Sequence, residues 1–209
     1  MILLLLARRK NVTAEAFESA LEGALPAGAE LATVMPGDAL PALAHAADAA
    51  ADLPDALVTL DQSDTLDFLA NIDAVLDRAA SSVLAVERHA ILPGRAPVRL
   101  FFGLRRLERL THAGFCDYWL NRHAQIGRRL IPPYTYHQMH GQEALTAIAA
   151  QITGLAASTF DGVVEVHFPD VDAFVRQLSR KDVAAEALED EKNFIDHARS
   201  RFWAYRERA

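Results

Sequence analysis

Along the chain, short runs of consecutive apolar residues alternate with stretches in which apolar residues recur every three or four positions. The first pattern marks buried strands and the second marks helices. In the first half, residues 2–8 begin with Ile2 and four leucines and read as a strand. Thr13, followed by Ala14-Glu15-Ala16, reads as the N-cap and acidic first turn of a helix reaching about Leu25, where Pro26 and Gly28 stop it. Strands are predicted at 30–35 and 56–60, separated by an alanine-rich stretch at 41–51. Ser63 or Asp64 then caps a second helix carrying Leu66, Leu69, Ile72, Val75 and Leu76 at helical spacing, and a fourth strand is predicted at 82–87.

The second half repeats that order. A strand at 98–104 precedes a helix from Thr111, with Phe115, Trp119, Leu120 and His123 along one side. A strand at 134–140, an inserted helix at 143–152 and a strand at 160–168 follow. Asp170 caps a helix over 171–178, a further helical run covers 183–195, and the last strand is predicted at 199–205. Each half thus predicts an α+β unit of the ferredoxin-like (βαββαβ) kind. The expected boundaries are 1–94 and 97–209, jointed at Pro93-Gly94-Arg95-Ala96-Pro97. A four-stranded sheet of this type leaves one face bare, so the two sheets are expected to pack face to face within one chain around a barrel-like cavity. A doubly wound α/β fold is the alternative, but neither half has a Gly-rich phosphate loop after its first strand.

Composition narrows the function. One cysteine, Cys116, excludes an intramolecular disulfide and cysteine-rich zinc modules, and it reads as a packed small side chain. A net charge of −7 argues against a sequence-independent nucleic-acid binder. The arginines at 199, 201, 206 and 208 read as a solvated strip. The apolar start is short and precedes Arg8-Arg9-Lys10, the reverse of a secretory signal, and no run approaches a membrane span. The expected setting is cytoplasmic, with neither membrane nor nucleic acid as partner.

Strand parity selects candidate chemistry. On the strand at 160–168, Val164, Val166 and Phe168 suit a helix-packed face, leaving Val163, Glu165 and His167 to face the cavity. On the strand at 134–140, Tyr134, Tyr136, Gln138 and His140 form the set richer in hydrogen-bonding groups and are assigned inward, with Thr135, His137 and Met139 outward. Glu165, His167 and His140 would then be the acid–base groups and Tyr136 and Gln138 the polarising ones. The bland reading is a polar network satisfied internally. His137 and His140 point to opposite faces and cannot share an ion. His140 with Glu165 and His167 would offer three ligands if their strands are neighbours, but nothing in the spacing demands a metal, and none is expected. The first half offers mainly an apolar wall, from Leu31, Thr33, Leu57 or Val58, and Val83 or Leu84. His123 at its helix end and Asp190-Glu191 on a helical face read as structural and solvated respectively.

Four motifs carry a family resemblance. The helix Phe115-Cys-Asp-Tyr-Trp119-Leu-Asn-Arg-His123-Ala, the strand Tyr136-His-Gln138-Met-His140, the strand Phe160-Asp161-Gly162-Val163-Val164-Glu165 and the segment Asp190-Glu191 with Phe194 resemble, in order, those of EthD-domain proteins. The first half looks like a degenerate copy without them. The resemblance implies a dimeric α+β barrel fold. It also implies a small-molecule enzyme, without cofactor, using acid–base chemistry of cyclase, dehydratase, lyase or monooxygenase type on an apolar aromatic or ketide-like substrate. His123 joins Tyr136 and Gln138 as a substrate-binding candidate. The alternatives are a non-catalytic carrier or accessory protein and a haem binder, and further pairing of the tandem chain into a homodimer is expected of this superfamily.

Overall fold

The computed structural model describes residues 1–36, 53–61, 66–129, 134–178 and 183–208. The alanine-rich stretch and the cap at Ser63 or Asp64 lie outside them. Nine strands are present among the described residues: β1 (Ile2–Arg8), β2 (Glu30–Val34), β3 (Ala56–Leu60), β4 (Leu76–Leu92), β5 (Val98–Leu104), β6 (Thr135–Gly141), β7 (Ala156–Ala157), β8 (Gly162–Phe168) and β9 (Arg201–Arg208). They are ordered β1-β3-β2-β9-β5-β8-β6-β4, and β4 pairs back onto β1. Every pairing in this ring is antiparallel, so the sheet closes into an eight-stranded barrel, with β7 added in parallel to β4. Two of the pairings, β2 with β9 and β4 with β6, join the halves edge to edge. Where the sequence predicts two facing sheets, the strands form one continuous sheet, hydrogen-bonded along both seams.

The helices lie outside the ring: α1 (Ala14–Ala24), α2 (Phe68–Asn71), α3 (His112–Tyr118), α4 (Ala124–Gly127), α5 (Glu143–Thr153), α6 (Val171–Leu178) and α7 (Val183–Glu191), with a π-helical turn at Trp119–His123 between α3 and α4. The caps are those the sequence predicts. Thr13 Oγ1 accepts from the Ala16 amide at 3.2 Å, Thr111 Oγ1 from Gly114 at 3.1 Å and Asp170 Oδ1 from Ala173 at 2.7 Å.

The predicted long second helix is a correction. Among the described residues only one turn forms, and the chain turns at 72–75 so that Leu76 already begins β4, 17 residues long. The Arg9 amide donates to the Val75 carbonyl at 2.9 Å and Arg8 pairs with Leu76, so ladder bonding to β1 claims the backbone that helical spacing had assigned elsewhere.

Outward from the first half, Leu4, Leu6, Leu31, Val58 and Val83 pack with Phe17 and Leu21 of α1 and Phe68 and Leu69 of α2. Inward, Leu3, Leu5, Leu57, Leu84, Phe101, Met139, Trp203 and Tyr205 are all buried. Side chains therefore fill the barrel where the sequence predicts an apolar cavity. At one end the filling is ionic.

Candidate functional site

The register of β6 against β8 sets His137 opposite Glu165 and Thr135 opposite His167. Side chains of opposed residues share a face, so Thr135, His137 and Met139 face inward with Glu165 and His167. Tyr136, Gln138 and His140 point outward, beneath α3. This inverts the predicted parity of β6 and divides the candidate residues into an interior group and an outer group.

The interior group is an ion cluster. Glu165, fully buried, is paired with the equally buried Arg99 of β5 and lies 3.2 Å from Arg88 Nη2 of β4. Arg88 also reaches Glu30 at 3.5 Å, and Arg95 reaches Glu30 at 3.4 Å and pairs with Glu207. The three arginines and three glutamates balance. Burial alone would push the Glu165 carboxyl up, but Arg99, His137, Arg88 and His167 outweigh it and hold it at about 2. A carboxylate so held is a poor proton acceptor. His167 donates from Nδ1 to the Ala96 carbonyl at 3.1 Å, pinning the joint between the halves. Burial is the main influence lowering its pKa. The mainly apolar wall expected of the first half is corrected by Glu30 and by Arg88, which lies beyond the predicted end of its strand.

His137, Glu165 and His167 bring three potential metal-ligating atoms together, as do His112, Glu143 and Asp161. In each group an arginine already sits on the carboxylate, Arg99 on Glu165 and Arg106 on Asp161. Both donor sets are arranged around a guanidinium.

The outer group is a chain of neutral hydrogen bonds. Gln138 Nε2 donates to the Trp119 carbonyl at 2.9 Å and to the Tyr136 hydroxyl at 2.8 Å, and Trp119 Nε1 donates to the same hydroxyl at 3.1 Å. A carbonyl only accepts, so the Gln138 atom beside Trp119 is its NH₂ and its oxygen faces His140. That oxygen lies 3.0 Å from His140 Nε2, which therefore carries the proton and leaves the lone pair on Nδ1. Burial, with His89 and His112 nearby, lowers the His140 pKa to about 3, so the ring is neutral. Trp119 lies flat on it, with centroids 4.7 Å apart and planes at 14°.

The π-helical turn belongs to this arrangement. The Ala124 amide bonds to the Trp119 carbonyl, the widened spacing, and the same carbonyl receives Gln138. A side chain inserted at a helical carbonyl is a recognised cause of such a bulge. Glycine makes room for the rings: a Cβ at Gly127 would come within 2.3 Å of the Tyr136 ring.

His123 lies further along this helical stretch with different partners. Its Nδ1 is 2.7 Å from Asp190 Oδ2, and the Tyr118 hydroxyl donates to Asp190 Oδ1 at 2.7 Å. These two bonds counter the upward push of burial and hold the Asp190 carboxyl below its usual value. Asp190 is thus an anchor rather than part of a solvated face, and Glu191 pairs with His197 at 2.8 Å. Burial pushes the Cys116 thiol up to about 11, which makes it inert as a nucleophile.

A closed antiparallel barrel wrapped by helices, with a buried polar chain beneath one helix, defines the class as an α/β barrel. Residues 107–198, within the second half, match the EthD domain family. The fold as a whole is similar to that of a candidate monooxygenase from Fusobacterium nucleatum, at 12% identity and a TM-score of 0.55 over 99% of this chain and 90% of that one. A second candidate monooxygenase, from Lactobacillus acidophilus, gives 10% identity and a TM-score of 0.52 over 99% and 92%. At such identities the likeness is one of fold. No curated protein sequence gives a significant match.

Proposed function

We propose that the protein is a small-molecule enzyme whose second half carries acid–base chemistry at His140, with the first half as scaffold. In this reading 1–94 and 97–209 are two ferredoxin-like units. The strand orders β4-β1-β3-β2 and β9-β5-β8-β6, which place corresponding strands of the two halves in the same positions, support it. The EthD domain match and the fold likeness to candidate monooxygenases support a small-molecule enzyme; an apolar aromatic or ketide-like substrate and cofactor-free chemistry are our extension from the family resemblance.

The observation that carries the assignment is the tautomer of His140, fixed through Gln138 by the Trp119 carbonyl and leaving Nδ1 as acceptor. At rest the ring is a weak base. A substrate developing negative charge beside it raises its pKa toward neutrality, so the proton moves to Nδ1 only when substrate is bound. Tyr136 stays protonated because burial pushes its phenol up more than its two donors pull it down. Glu165 and His167 in this reading hold the halves together rather than react.

The test is a screen of small aromatic ketones for conversion and for solvent-deuterium uptake next to the carbonyl, followed by mass spectrometry. Turnover is expected in the wild type and a loss of roughly 10²–10⁴-fold in His140→Phe. Conversion at the wild-type rate in that variant overturns the assignment. The second reading is a carrier, favoured by the Trp119 ring that covers His140, of which 4% is exposed. Binding without any conversion would select it.

A further inference from the structure

The filled barrel has a mouth at the end where β5 finishes and β8 begins. Two inward positions there, Gly103 opposite Val163 and Gly141 opposite Val86, carry no side chain. Phe160 covers the first so closely that a Cβ on Gly103 would lie 2.7 Å from its ring, and it meets Phe101 edge-on at 5.9 Å. Above this plug is a concavity of about 390 Å³ whose apolar side includes Leu84, Ala147 and Phe160. That volume falls within the range of small-molecule sites.

The opposite side is charged, with Arg105 and Arg106 set against Asp161 and Glu143, but the two arginines are not equally engaged. Asp161 is committed to Arg106, whose guanidinium pairs with Oδ1 and whose amide donates to Oδ2 at 2.8 Å. Arg106 Nη1 also lies 3.9 Å from the exposed Glu143, and Arg106 Nε donates to the Leu110 carbonyl at 3.1 Å. Among the described residues Arg105, about a quarter exposed, is held only by a long ion pair. Its Nε is buried without a hydrogen-bond acceptor and lies 3.7 Å from Asp161 Oδ2. Burial, Arg199 and Arg106 all disfavour its charge, with only Asp196 opposing them. His112 donates from Nε2 to the Gly141 carbonyl at 2.8 Å, while its Nδ1, 3.5 Å from Asp161 Oδ1, is buried without a partner. A buried cationic donor without an acceptor is costly unless something anionic completes it.

We propose that the barrel mouth binds a small carboxylate with a flat apolar body, its carboxylate held by Arg105 and its body laid along Leu84, Ala147 and Phe160. Benzoate and its neutral isostere benzamide are the probes, titrated into the full chain by calorimetry. Benzoate is expected to bind saturably and benzamide roughly tenfold more weakly, since charge-assisted hydrogen bonds are about twice as strong as neutral ones. Arg105→Gln should abolish the difference. Ala147→Trp, at an exposed position of α5, should remove benzoate binding while thermal melting shows an intact fold. Equal binding of the two probes, no saturable benzoate binding, discrimination surviving Arg105→Gln, or benzoate binding unchanged in Ala147→Trp would each overturn the proposal. The measurement requires no turnover, so it stands or falls separately from the acid–base reading.

Discussion

Acidification exposes the unusual state of His140 directly. Its pKa falls from the model-compound value of 6.5 to about 3 on folding. Between these values the unfolded chain binds a proton that the folded one refuses, so stability rises with pH and is lost as pH falls below 6.5. From pH 7 to pH 5 the loss from this one residue is about 2 kcal/mol, while the folded ring stays neutral throughout. That window lies above the range in which ordinary carboxylates protonate. His167, its pKa lowered mainly by burial, contributes with the same sign. His197, raised by its bond to Glu191, contributes with the opposite sign, adding stability that is lost as pH rises through its folded pKa. Comparison with His140→Phe isolates the term, because both other histidines remain and the flat ring against Trp119 is kept. Urea unfolding at pH 5, 6 and 7 should show the wild type losing about 2 kcal/mol more than the variant across the window. Parallel losses would refute the burial argument and the neutral tautomer built on it.

Two further outcomes test the interior and the helix contact. Glu165→Gln leaves the fully buried Arg99 and the neighbouring Arg88 without their shared counter-charge, and should cost about 3–5 kcal/mol in thermal unfolding. An unchanged melting temperature would show that the cluster does not hold the halves together. Gly162→Ala would place a Cβ 2.6 Å from the Trp119 ring and 2.7 Å from the Met139 carbonyl oxygen. It should cost about 1–3 kcal/mol and shift the Trp119 emission, and an unaltered spectrum and stability would contradict the packing.

What could be read from the sequence was mostly local. Thr13, Thr111 and Asp170 cap where their chemistry says, because a cap depends on three or four neighbouring residues. The EthD motifs likewise pointed to the correct half. The parity of β6 was not legible. All seven of its residues are buried, so neither face carries the polar marking that alternation needs, and only register against β8 decides it. The length of β4 was hidden for a related reason. Asp77, Arg78, Ala79, Ala80 and Ser81 show no apolar alternation, and they lie where the register against β1 shifts, only Asp77 having a partner there. Arg99 carries a legible signal, since a charge between Val98 and Leu100 in an apolar strand calls for an equally buried counter-charge. Asp190 could not be separated from an ordinary exposed acid, because its partners Tyr118 and His123 lie about 70 positions away in sequence.

Closure of the ring also bears on how copies of this protein meet. A strand with an unpaired side is a template on which another chain can grow, and sheet proteins generally need a device to blunt it. Here each of the eight barrel strands is bonded to a neighbour on either side, so the halves act as one another's edge protection. Opening either seam, β2 from β9 or β4 from β6, would bare two ladders at once together with the apolar barrel lining. Cutting the chain at the joint would therefore create two sticky fragments rather than two independent domains. Their simplest route to relief is to find each other again, and the intact chain keeps that encounter internal.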